Sequence, residues 1–439
     1  MPTPLLVVAL TPLVVAYLIA AFRDPLRWVL PPYAASLPFS SLLSVGPEPF
    51  GSASSVLGML LGAALLMQLV TTQRGNPRLS VVVPIWLTFL ALTALSFLWT
   101  IGRTVTIDGV IVLASLVILF VALALSRFDR IALRRFENAV MAGGLLVVGY
   151  GLYQVLFAGG LPTTIGGTAR FGDDLLDANN QAAALLLPLV IAAGRSLSGA
   201  RSSRLLHGAA TVLLLLGILL TGSRGGLIAS MVAMAAVLAL SAGRGALKVA
   251  VAAIAALLLV TLLVIRPFGV GDRLFERGES SSGRTDIWTV GLHSCDEYCL
   301  FGAGWGTFPL VYKEQLAKVP EAQAGGGRPA YEAHNIYLLA LVEVGVLGLA
   351  LMVLGLGAGL RTALRLPVGL RGPPAAALMG HLVSSFFLSN LEYKFFWAML
   401  AYIVIAESVA VMERSGSRSA AGHPQLSATP VRELAARPA

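Results

Sequence analysis

The feature that most constrains this chain is a succession of apolar runs, each about 20 residues long, the length a helix needs to cross a bilayer. They fall at 4–22, 28–45, 55–72, 80–100, 106–126, 139–158, 180–194, 206–221, 225–241, 248–265, 334–360, 374–389 and 395–412. These runs predict an all-α polytopic membrane protein, a bundle of about 12–13 transmembrane helices. The Pro-rich second run (Pro31, Pro32, Pro38) is the one that separates the two counts. Composition closes off the alternatives. The chain of 439 residues is 57% apolar and 12% charged, against roughly 25% charged in an ordinary soluble domain. A mean hydropathy of +0.82 cannot be hidden in one soluble core, because a globule still needs a wetted surface. Two cysteines exclude a disulfide-rich scaffold. The first run has no basic residues ahead of it and Arg23 behind it, so it is expected to stay as a membrane helix rather than be removed as a signal peptide.

The connections at 23–27, 73–78, 127–135, 195–204, 244–248 and 361–371 are basic and fall on alternate sides of the helix series. The positive-inside rule places them in the cytoplasm. The net charge of +9 is therefore a topology signal and does not point to nucleic acid. The connections at 46–53, 101–105, 159–179, 222–225, 266–333 and 390–394 then face outward. The stretch 266–333 is far longer than the others, as functional loops often are, and 284–298 within it is expected to form a helix along the membrane surface. This gives N-terminal transmembrane helices over 1–158, a second transmembrane region over 159–412 with the extracytoplasmic loop 266–333 and its short helices, and a disordered cytoplasmic tail over 413–439.

Arginine on the outward side runs against the topology rule, so each instance asks for a local reason. Arg224 lies in a tight corner, Thr221-Gly222-Ser223-Arg224-Gly225-Gly226. A helix starting at Gly225 and Gly226 turns its first N–H groups and positive dipole end outward, where an anion can approach. Arginine beside it adds a bidentate donor. The pattern reads as a phosphate or diphosphate site, or as interfacial snorkelling beside a tight turn. Arg170 either binds the same anion or pairs with Asp173, Asp174 or Asp177, and Arg284 is a third cation or an ordinary interfacial residue. Three inward helix starts, after Asn179-Asn180-Gln181, at Gly225 and at His334-Asn335, could converge on one anionic substrate. His334 at the outer boundary suits a general base, or else caps its helix. Glu343 lies nine residues on, about 13 Å deeper and half a revolution round, and is expected to hydrogen-bond to a neighbouring helix. Cys295 and Cys299, one turn apart, are either bridged or reduced. Trp288 and Trp305 stack on sugar rings or anchor the interface. No zinc pattern is present, and Asp173-Asp174 is the one acidic pair resembling a metal site.

Gly222-Ser223-Arg224-Gly225-Gly226, the loop with Arg284…Trp288 and Phe301-Gly302-Ala303-Gly304-Trp305-Gly306, then His334-Asn335 with Glu343-Val344-Gly345, resemble the O-antigen ligase/polymerase superfamily. Arg170…Asn179-Asn180 and Lys394-Phe395-Phe396-Trp397 are similar to its pattern too, so the likeness runs from about 170 to 412. The resemblance implies an inverting, metal-independent glycosyltransferase of the bacterial inner membrane, without cofactor. Its donor is an undecaprenyl-diphosphate-linked glycan; the acceptor is lipid A-core for a ligase and another lipid-linked repeat unit for a polymerase. By that resemblance Arg224 and Arg284, with Arg170, bind the diphosphate, and His334 activates the acceptor hydroxyl. The Cys295/Cys299 pair departs from the family's usual stretch. Two other readings compete: a flippase or transporter for lipid-linked glycans, which would need charged groups along a path through the bundle, and a metal-dependent polyprenyl-phosphate glycosyltransferase built on Asp173 and Asp174.

Overall fold

A computed structural model describes residues 4–39, 51–72, 78–157, 171, 178–198, 200–241, 284–324 and 332–421. Their regular structure is helical throughout. Seven of these helices are long and apolar enough to cross a membrane: Ala53–Thr71, Arg103–Leu125, Arg130–Phe157, Arg201–Leu220, Arg224–Ser241, Ile336–Leu364 and Lys394–Ser415. Thr11–Arg23 and Val82–Leu98 are shorter apolar helices. The protein is an all-α polytopic membrane protein, as the hydropathy requires.

Proline explains where helices depart from the expected runs. The second run begins as Leu30–Ser36, with Pro at its start, and tightens into a 3₁₀ turn over Leu37–Phe39; the rest of that run lies outside the described residues. The run at 180–194 is split into Ala178–Ala184 and Leu186–Ser196. Pro188 has no N–H to give the carbonyl of residue 184, and its ring crowds that carbonyl. The run at 248–265 lies outside the described residues. The tail expected from 413 instead starts as helix, since Lys394–Ala421 is continuous and Arg130 pairs with Glu413.

Lipid tails are as apolar as leucine, so close packing rather than a hydrophobic drive holds such helices together. Small residues permit it. Arg224–Ser241 lies along Val368–Ser384, where a Cβ on Gly380 would come within 2.9 Å of the Ala233 Cβ and 3.2 Å of the Ala229 carbonyl oxygen. Elsewhere aromatic edges fill the space: Trp86 meets Trp397 at 5.0 Å and Phe89 at 5.5 Å between ring centroids. The basic ends of the helices are tied by a polar lock. Arg195 donates to Glu137 and Asn138, and Tyr402 donates to the other Glu137 oxygen at 2.7 Å. Three helices meet there through one carboxylate. Glu137→Ala is expected to lower stability by about 2–3 kcal/mol, less than the ~3–5 kcal/mol of a fully buried broken pair, because the Arg195 side chain keeps 22% exposure. Thermal unfolding in detergent measures it, and an unchanged midpoint would mean the lock holds nothing.

At the opposite end the long loop folds back into the bundle. Phe301-Gly302-Ala303-Gly304-Trp305-Gly306 forms a strap between the corner at 96–102 and the helix Ile336–Leu364. On one side Trp99 Nε1 donates to the Gly302 carbonyl at 3.1 Å, Ile101 N–H to the Ala303 carbonyl at 3.0 Å, and Trp305 N–H to Ser96 Oγ at 3.1 Å. On the other, Ala303 and Gly304 N–H donate to the carbonyls of Val342 and Glu343 at 2.8 and 2.9 Å. Those carbonyls are available because the helix breaks at Gly345 (φ 78°). Gly302, Gly304 and Gly306 also have positive φ (85°, 108°, 82°), a region closed to most side chains. The glycine alternation is what lets the strap lie flat against two backbones.

Candidate functional site

Two helix starts are joined directly. Ser223 caps Arg224–Ser241: its Oγ accepts from Gly226 N–H at 3.1 Å and donates to Asn179 Oδ1, at the start of Ala178–Ala184, at 2.7 Å. The cap uses the Gly226 N–H, so that group is not left for an anion as the sequence suggested. Both glycines also serve packing, Gly226 against the Ala182 Cβ and Gly225 against the Phe387 ring.

Phe387 is the hinge of the arrangement. Its ring lies against Gly225 on one side, and the Arg284 guanidinium carbon sits 6.0 Å from its centroid on the other. Arg284 opens the loop helix Arg284–His293, so the expected helix over 284–298 forms and ends in a 3₁₀ turn at Ser294–Asp296. Phe387 follows Ser385, whose carbonyl accepts the Ile336 N–H at 2.9 Å. Buried Asn390 braces Ser385 through its hydroxyl at 3.2 Å. The helix start at Arg224–Gly225, the Arg284 guanidinium and the start of the helix after His334 therefore meet at one turn, 385–390.

His334 has φ 47°, uncommon for a residue with a side chain, though His tolerates it better than most. Its neighbours hold it there. Trp288 Nε1 donates to the Ala333 carbonyl at 3.1 Å. Asn335 caps the helix, accepting from Tyr337 and Leu338 N–H at 2.9 and 3.0 Å. The cap role thus belongs to Asn335, and the His334 ring remains half-buried at the surface of the bundle, its Nδ1 4.0 Å from Glu332 Oε2. Neither Glu332 nor the 385–390 turn carries a local pattern that singles it out in the sequence.

Other expected residues lie elsewhere. Arg170, Asp173 and Asp174 fall outside the described residues. Trp288 stays beside His334, partly exposed. Trp305 is fully buried, its ring edge-on to Phe89 at 6.0 Å; a ring used up in core packing has no face for a sugar, and that expectation is corrected. Glu343 is 2% exposed and accepts from Gly306 N–H in the strap and from Phe308 N–H at the start of the neighbouring loop helix Phe308–Gln315, at 2.9 Å each. Cys295 and Cys299 are joined in a disulfide. Nearby, hydrogen bonds from Tyr298 and Gln315 hold the Glu297 carboxyl below the usual carboxylate range, so this part of the loop is knit by charge as well as by packing. Among the described residues no three of His, Cys, Asp and Glu gather as a metal site.

No curated protein matches the chain. Residues 209–353, which span the Arg224 corner, Arg284 and the His334 helix start, match the family model for O-antigen ligase, and in that stretch the chain is similar to the family.

Proposed function

We propose that the chain is an inverting, metal-independent glycosyltransferase that moves a glycan from an undecaprenyl-diphosphate donor to an acceptor sugar hydroxyl at the outer face of the bacterial inner membrane. The observation that supports this reading is that the segments carrying Arg224, Arg284 and His334 meet at the 385–390 turn, through Gly225 and Arg284 against Phe387 and through Ile336 N–H on Ser385. The donor is long, lipid-anchored and anionic, so its headgroup belongs at the end of a helix bundle. Breaking the anomeric bond leaves negative charge on the diphosphate, which fixed guanidinium donors stabilise best as it develops. Attack from the opposite face of the sugar in one displacement inverts the anomeric centre. It requires a base within hydrogen-bond reach of the acceptor hydroxyl, and His334 is the base. Arg170 is the third proposed diphosphate contact, and Trp288, beside His334, is placed for a sugar.

The test is the purified protein in lipid with a defined undecaprenyl-diphosphate oligosaccharide. Elongated lipid-linked product identifies a polymerase; transfer to lipid A-core identifies a ligase. Under this reading Arg224→Lys is severely impaired, because lysine keeps the charge and loses the planar fork that engages two phosphate oxygens. Wild-type turnover survives a strong chelator. Near-normal turnover of Arg224→Lys would reduce Arg224 to an interfacial anchor. Activity lost on chelation and restored by magnesium would instead favour the metal-dependent mechanism and bring in Asp173 and Asp174.

A further inference from the structure

Glu332 stands two residues before His334 and is held from a different part of the fold. Its Oε1 accepts the Tyr393 hydroxyl at 3.3 Å, and its Oε2 faces His334 Nδ1 at 4.0 Å. Tyr393 comes from the segment that follows the 385–390 turn, the same turn that fixes the start of the His334 helix through Ser385. The Glu332 carboxylate thus has the Tyr393 hydroxyl on one oxygen and the His334 imidazole facing the other. We propose that Glu332, aimed by Tyr393, is a positioning residue for His334: it fixes the ring with Nδ1 inward and supports the charge the ring acquires. This rests on the reading of His334 as the base.

The step balances as follows. The acceptor hydroxyl oxygen forms a bond to the anomeric carbon, and the bond from that carbon to the diphosphate oxygen breaks, its electron pair leaving with the diphosphate. The hydroxyl proton passes to His334 Nε2. The imidazolium so formed keeps its Nδ1–H toward the Glu332 carboxylate until the ring returns the proton to solvent. A separation of 4.0 Å is that of an ion pair rather than a hydrogen bond, and catalytic pairs tighten when substrate binds. The backbone adds a second argument. His334 is kept at φ 47° by anchored neighbours on both sides, a conformation that persists only where the surroundings over-determine it. In that conformation the ring has its Nδ1 4.0 Å from Glu332 Oε2. Among the described residues, the charged groups on the elements that pack here include Arg284 from the loop helix, Arg224 next to Gly225, and Glu392 beside Tyr393; Glu332 and Glu392 also lie within electrostatic reach of Glu343.

A carboxylate raises the pKa of a histidine beside it, so removing the charge lowers it. The full chain, labelled at its five histidines and placed in lipid nanodiscs, allows the His334 ring to be titrated by NMR, with His334→Ala to assign its signal. Glu332→Gln should lower the His334 pKa by about 0.5–1 unit, less than the ~1–3 units of a close, dry pair. Tyr393→Phe, which leaves the carboxylate in place but unaimed, should lower it by a smaller amount and carries the same test if the Gln variant does not fold. With an undecaprenyl-diphosphate oligosaccharide as donor, Glu332→Gln should turn over about tenfold more slowly, a fraction of the ~10²–10⁴-fold a base contributes. The rising limb of its pH profile should move to lower pH with the His334 pKa. A limb and a His334 pKa unchanged in both variants would overturn the proposal. A wild type whose His334 pKa responds to Glu332 but which transfers no glycan would uphold the pairing and fault the glycosyl-transfer reading instead.

Discussion

Glu343→Ala is expected to undock the strap at 301–307 and to destabilise the protein by about 2–6 kcal/mol. The figure follows from two backbone N–H groups, those of Gly306 and Phe308, which each donate to a different Glu343 oxygen at 2.9 Å. The carboxylate is 2% exposed and Phe308 is fully buried, so no water replaces the lost acceptors. Each buried donor left unmet costs about 1–3 kcal/mol. Glutamine tests the same point more gently. Its carbonyl can accept one of the two N–H groups, but its amide then faces the other donor to donor, so an intermediate loss is expected. Hydrogen exchange across 301–307 reads the undocking directly, and the thermal midpoint reads the cost. Exchange in Glu343→Ala as slow as in the wild type would mean that the bonds to the Val342 and Glu343 carbonyls and to the Ser96 hydroxyl hold the strap alone.

This strap also marks the limit of what the sequence discloses about the fold. The helix series is legible because hydropathy and helix length report the same constraint, the thickness of a bilayer. The breaks within it are less so. Pro188 splits a helix by local chemistry that can be recognised residue by residue. Gly345 does not: in the run Val342-Glu343-Val344-Gly345-Val346 it resembles a tolerated helix glycine, costing roughly 1 kcal/mol against alanine. Its φ of 78° exists because the Leu300–Gly302 backbone presses there, so that a Cβ on Gly345 would meet the Leu300 carbonyl oxygen at 2.5 Å. The partner is more than 40 residues away in sequence, and no local pattern announces it. The same long-range docking gave Glu343 its bonding partner and took Trp305 out of reach of any sugar.

The candidate site divides in the same way. Arg224 and Arg284 stand out in the sequence because they are basic on the side where topology disfavours arginine, and His334 because it opens a span at the outer boundary; the structure draws their segments to one turn. The residues that make the turn work carry no such contrast. Ser385 and Phe387 sit in what reads as the end of a membrane span, and Glu332 and Tyr393 in ordinary loop sequence. Ser385 matters for a carbonyl, Phe387 for a ring wedged between Gly225 and Arg284, and Glu332 for what stands beside it. Those are properties of neighbours, which only the folded chain supplies. The glycines of the Arg224 corner illustrate the opposite error: they invite an anion-site reading, yet each is also required by close packing.

His334→Ala and His334→Asn together separate chemistry from backbone strain, and both are expected to lose turnover by about 10²–10⁴-fold, the usual contribution of a general base. The two variants differ in what else they disturb. At φ 47° an alanine incurs about 1–2 kcal/mol of left-handed strain, whereas asparagine visits that region readily and leaves the turn as it is. Asparagine cannot accept the acceptor's proton. If His334 acts only by allowing the chain to turn before Asn335, the Asn variant should keep near-normal turnover and the Ala variant should be the impaired one. If it acts as the base, both fail alike while folding and donor binding persist, because the Trp288–Ala333 bond, the Asn335 cap and the Ser385–Ile336 bond do not involve the imidazole. Single-turnover kinetics with an undecaprenyl-diphosphate oligosaccharide, alongside donor-binding measurements on the same preparations, decide between them. Equal binding with chemistry lost in both variants assigns the proton transfer to the ring, and retained chemistry in the Asn variant would leave the site without its base.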